Sequence, residues 1–233
     1  GNGILTENEE CDDGNLANGD GCDDQCTFEA PCFEVDACPN LTFISINAGS
    51  YSMGNNAISN ASPEHQVTLS AFVVTRSEVT VGQYRNCVDS GACSPPQFTQ
   101  TSETEKSNYQ LGEENPNRPF KNEYPMNRIA WNEAVTFAEW VGGRLPTEAE
   151  WEYFATSEGT SNLYAWGDDV PDCTLAIKKE NDVNGCGTNG SHPVCSLSPA
   201  GDTTQGLCDV TGNLVEWTAD ERSSDYQAAD PNG

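Results

Sequence analysis

Apolar residues recur at helical spacing in three stretches of this chain and follow a strand-like pattern in two others. Thr80 with Gln83 makes a capping box ahead of Val81, Tyr84, Cys87 and Val88, which predicts a short helix ending near Asp89. Cys87 and Cys93 are then placed to staple its last turn. Trp131, Ala134, Val135, Ala138 and Val141 mark a second helix, stopped by the left-handed conformation that Gly142-Gly143 supplies. Pro146-Thr147 with Glu150 opens a third, running through Trp151, Phe154 and Ala155. There Thr147 and Glu150 satisfy the first-turn amides, Leu145 and Trp151 face inward, and Arg144 is expected to pair with a carboxylate. The β-prone runs LTFISI (41–46) and QVTLSAFVVT (66–75) flank the turn-rich stretch GSYSMGNNAISNASPEH, so a hairpin or meander is expected.

Three segments carry neither period. Residues 1–26 are polar and acidic and build no core of their own, so cross-links or metal must hold them. The spacing of Cys11, Cys22 and Cys26 around DDGN and GDGC resembles a short cysteine-rich repeat of secreted and surface proteins of myxobacteria, which normally begins with a cysteine before the GNG. The N-terminus is therefore read as cut, leaving one cysteine of the odd total without its partner. Asp12, Asp13, Asp20, Asp23 and Asp24 read as a solvated acidic loop rather than a calcium site. Residues 94–125 read as a long polar loop, the kind that is usually functional or mobile. From Asn162 onward Cys173, Cys186, Cys195 and Cys208 sit among Gly, Asn, Pro and Asp. Nearest-neighbour pairing there would close two loops worth ~3 kcal/mol each, although spacing alone does not settle the connectivity. The expected division is an acidic cysteine-rich module over 1–38 and a larger domain over 39–233.

Charge and cysteine usage narrow the function classes. Ten Lys and Arg stand against 37 Asp and Glu, a formal charge of -27, which disfavours nucleic acid as a partner. Eleven cysteines with only two histidines and no repeated CxxC pairs read as disulfides, hence a secreted or extracellular-surface setting, the periplasm included. No apolar run approaches the ~20 residues that cross a bilayer.

Seven segments in fixed order then carry a resemblance: NAGSYSMG, SPEHQV, SEVTVGQY, YPMNRIAWNEAVTFAEW, GGRLPTEAEWEYFA, YAWGDD and GLCDVTGNLVEWTAD. Together, from about Leu41 to Asp220, they resemble the sulfatase-modifying-factor family, whose namesake is the formylglycine-generating enzyme. The resemblance implies an α+β, loop-rich variant of the C-type lectin-like fold with structural calcium. In DVTGNLVEW an acidic residue, a tight Gly turn and a second carboxylate can wrap oxygens around a hard cation. Carried over from the family, Asp209 and Glu216 supply carboxylates and Gly212 and Leu214 backbone carbonyls. A second family calcium uses an Asn soon after an Ala, but here Ala176 is followed by Ile177. His65 reads as a hydrogen-bonded strand-entry residue and His192 as a loop residue; two histidines do not make an iron triad, which argues against the ergothioneine-type sulfoxide synthases.

The family enzyme oxidises a substrate cysteine at a copper ion held by two thiolates near the end of its domain, as soft ligands suit Cu(I). No cysteine here occupies an equivalent position, and the domain is read as C-terminally truncated at Gly233. Phe137 is followed by Ala138 where the family often has Cys, and Val215 stands where it has Trp beside the substrate cleft. The expected function is a noncatalytic module stabilised by calcium and disulfides that binds a protein or glycan ligand. The alternative is a copper-dependent formylglycine-generating oxidase whose cysteine pair lies outside this chain.

Overall fold

The computed structural model describes residues 39–96, 107–113, 121–160 and 162–220. The expected cysteine-rich module and its boundary near Cys38 lie outside the described residues, as does part of the 94–125 segment. The described chain divides into two units, one of the chain up to Phe43 with Thr80–Asn122 and Met126–Leu145, the other of Ile44–Val79, Glu123–Pro125 and the chain from Pro146.

In the first unit, helix α1 (Val81–Asp89) starts at the capping box: Thr80 Oγ1 accepts the Gln83 N–H, and the Gln83 side chain accepts the Thr80 N–H. Val81, Tyr84 and Cys87 form its buried face, and the Cys87–Cys93 disulfide closes its end. Helix α2 (Asn108–Glu113) lies within the segment expected to be a loop. It forms because Tyr109 is buried edge-on against Tyr84, with ring centroids 6.3 Å apart, while the Asn108 N–H donates to Asn127 Oδ1. Helix α3 (Trp131–Trp140) ends where expected, with Gly142 at φ +80°. Of its expected inner face Ala138 and Val141 are buried and Ala134 and Val135 half-buried, while Trp131, as first residue, is exposed; Glu133 and Phe137 join the buried side, and Phe137 stacks on Tyr84. Glu133 tolerates burial because its carboxylate accepts the Ala130 N–H at 2.7 Å.

In the second unit, β1 (Phe43–Ile46) pairs with β4 (Phe72–Thr75), and β2 (Gly49–Met53) pairs with β3 (His65–Leu69). The β2–β3 ladder is antiparallel, with Tyr51 opposite Val67. Tyr51, Met53, Val67 and Leu69 point into the core, while Ser50 and Thr68 share a hydrogen bond on the outer face. Two nested ladders thus stand where a hairpin or meander was expected, and β2 occupies the first five residues of the stretch that read as turn. Helix α4 (Glu148–Ala155) begins at the expected Thr147–Glu150 capping box and packs Ala149, Tyr153 and Phe154 onto β2 and β3. Gly49 permits this approach, because a Cβ there would stand 2.2 Å from Tyr153 Oη. In the first unit, just ahead of this helix in the chain, the Arg144 guanidinium donates to Leu145 O at 3.0 Å.

Residues 162–220 hold no α-helix or multi-residue strand. Two disulfides, Cys173–Cys186 and Cys195–Cys208, each 13 residues apart, provide the cross-links, and Leu207 and Val210 reach the core of β2, β3 and α4. No helix among the described residues is long and apolar enough to cross a membrane.

Candidate cation site

The 209–216 turn is shaped by its backbone. Asp209, Gly212 and Asn213 have φ of +62°, +105° and +53°, and a Cβ at Gly212 would come within 2.7 Å of Ile177 O, so backbone meets backbone there. The Asn213 N–H donates to that same Ile177 carbonyl at 2.8 Å. The Asn213 side chain accepts the His192 N–H at 2.9 Å and donates to Glu78 Oε2 at 2.8 Å. Glu78, just beyond β4, also accepts the Leu214 N–H at 3.1 Å.

The sequence-derived residues are held from different sides. Asp209, only 9% exposed, accepts the Cys195 N–H through Oδ2. Glu216 turns inward to accept the Trp151 indole N–H from α4 at 2.7 Å, while its neighbours Val215 and Trp217 face out at 99% and 50% exposure. Among the described residues, Asp209 Oδ1 and Glu216 Oε1 accept no hydrogen bond. Gly212 and Leu214 lie between the two carboxylates on the same turn. His65 opens β3, with Nδ1 3.1 Å from Pro63 O, and His192 sits in a loop, as their sequence contexts suggest.

Burial dominates the electrostatics. It pushes the Glu78 carboxyl up to about 9, with help from the charges of Glu216 and Asp209 and against the Asn213 and Leu214 donors. Glu216 is raised to about 7 by burial and Asp209, opposed by the Trp151 N–H. Burial also raises Asp209, against the Cys195 N–H, Arg76 and His192. Such a group of acids in one interior can stay protonated or take a cation. Glu78 was not singled out from sequence, where it stands in SEVTVGQY two residues ahead of the Thr80 capping box and nothing in its spacing marks it as a partner of the 209–216 turn.

Cys195, Cys208 and Asp209 place their donor atoms within 4.8 Å of one another, but the two sulfurs are bonded together and offer no thiolate. All six described cysteines are in disulfides.

The family model described as the sulfatase-modifying factor enzyme 1-like domain matches residues 30–231. The formylglycine-generating enzyme of Streptomyces coelicolor is 37% identical over 115 residues, 46% of this chain and 36% of that protein. The inactive C-alpha-formylglycine-generating enzyme 2 of Bos taurus is 39% identical over 114 residues, 47% of this chain and 36% of that protein. The chain thus spans about a third of the length of these relatives. PvdO from Pseudomonas aeruginosa superposes with a TM-score of 0.67 at 22% identity, over 85% of this chain and 77% of that one, a likeness of fold. With all of its described residues inside one family model and its fold shared with that structure, the chain belongs to the sulfatase-modifying factor enzyme 1-like family.

Proposed function

We propose that this domain is a calcium-stabilised, disulfide-stapled binding module, noncatalytic, secreted or displayed at a cell surface, and directed at a protein or glycan ligand. Its scaffold is taken to be the C-type lectin-like variant that the family resemblance implies. The observation that supports calcium best is the donor set of the 209–216 turn. Asp209 and Glu216 each give one oxygen to a protein N–H and retain another, in an interior that raises both carboxyls. An all-oxygen set fits a hard cation, with the Asp209 and Glu216 carboxylates and the Gly212 and Leu214 carbonyls as ligands. Bound there, calcium would supply the positive charge that three neighbouring acids lack.

The noncatalytic reading is supported by the pairing of every described cysteine, since Cu(I) chemistry needs free thiolates. Likeness to an inactive relative agrees with it. The alternative, copper-dependent oxidation of a protein cysteine to formylglycine, is favoured by the 37% identity to the Streptomyces enzyme. It requires a thiolate pair from outside the described residues. Calcium at about 100 times its Kd should raise the Tm by about 5 to 10 °C, and Asp209→Ala should lose the response. A wild-type response in that variant would remove the site. Formylglycine formation on a Cys-x-Pro-x-Arg peptide with copper and oxygen would overturn the noncatalytic reading.

A further inference from the structure

Asp209 is gripped by an amide that belongs to a cross-linked partner. Its Oδ2 accepts the N–H of Cys195, and Cys195 is bonded to Cys208, the residue directly before Asp209. One covalent bond therefore ties the donor of this hydrogen bond to the backbone that carries its acceptor. The Cys208 N–H is anchored in turn on Arg76 O at 3.0 Å. Cys195 and Asp209 both hold left-handed φ, +58° and +62°, a conformation that non-glycine residues keep only where the surroundings impose it. Cys208 is 2% exposed, so the cross-link is packed into the same interior.

We propose that the Cys195–Cys208 disulfide is a positioning element of the calcium site, holding the Asp209 carboxylate in its ligating pose. This rests on the calcium reading above. The disulfide does not touch the ion; it orients a residue that does, and removing such support typically costs 10–100-fold in metal affinity. Cys87–Cys93, which staples α1 in the other unit, has no such role.

Calcium affinity is measured by titration calorimetry on the wild-type chain, on Cys195→Ala/Cys208→Ala and on Cys87→Ala/Cys93→Ala, with near-ultraviolet dichroism as the check of folding. The first variant should bind about 10–100-fold more weakly and the second like wild type. A folded Cys195→Ala/Cys208→Ala variant with wild-type affinity overturns the proposal. Should that variant not fold, the wild-type chain is equilibrated with a dithiol, which passes two electrons and two protons to a disulfide and closes into its own. By reciprocity calcium should make Cys195–Cys208 harder to reduce by the same factor, about 30–60 mV, beyond any shift of Cys173–Cys186. The latter closes a loop of equal length in the same unit, so equal shifts for the two would mean a structural staple and nothing more. Absence of calcium binding by the wild-type chain would remove the calcium reading itself, and this proposal with it.

Discussion

At Glu216 a buried carboxyl accepts the Trp151 N–H and feels the charge of Asp209, while Glu78 feels both. The folded, metal-free chain holds protons on Glu78 up to about pH 9 and on Glu216 up to about 7, against an ordinary value of 4.5. Between those limits the native state binds more protons than the unfolded one, so its stability is greatest below pH 4.5 and declines as pH rises through 7 and 9. In chelator the Tm should fall from pH 5 to 9; calcium, which favours the ionised forms, should flatten that slope. Glu216→Gln removes the lower part of it. At pH 8 the variant should melt a few degrees above wild type in chelator, yet bind calcium at least about tenfold more weakly. A variant less stable than wild type in chelator would show that the carboxyl is not strained by burial. The acidic turn carrying Asp209 and Glu216 is legible from spacing, but Glu78 is not, because it arrives from more than a hundred residues upstream and only the folded chain brings it to Leu214.

Helix starts were the clearest elements to read, since Thr80–Gln83 and Thr147–Glu150 satisfy orphan amides within four residues of sequence. Thr147→Ala should cost about 1 kcal/mol and lower the Tm by about 2 to 4 °C in thermal denaturation. Strand β2 was harder, because GSYSM carries its alternation on just Tyr51 and Met53, between residues that favour turns. Helix α2 has no periodic signal at all; Tyr109 meeting Tyr84 makes it, a contact set by tertiary packing. Gly49→Ala tests the junction of β2 with α4. Its Cβ would overlap Tyr153 Oη, displacing a core tyrosine that also packs on Tyr51, at a cost of about 1 to 3 kcal/mol by chemical denaturation.

Across the whole molecule, a chain with a formal charge of -27 leaves 162–220 without an α-helix or multi-residue strand and relies on cross-links there. Pairing of near neighbours is what the spacing allowed among other connectivities, and it is what the fold contains. Each of the two 13-residue separations corresponds to about 3 kcal/mol of loop-closure entropy, so reducing one should lower the Tm by about 6 to 12 °C. Added salt should raise the Tm by screening self-repulsion. The bond from the Trp151 indole to Glu216 has an optical consequence. A chromophore whose N–H rests on a carboxylate reports the charge of that carboxylate in its emission wavelength. Cation occupancy should therefore register as a spectral shift without any added dye, and Trp151→Phe should remove the Trp151 contribution to it.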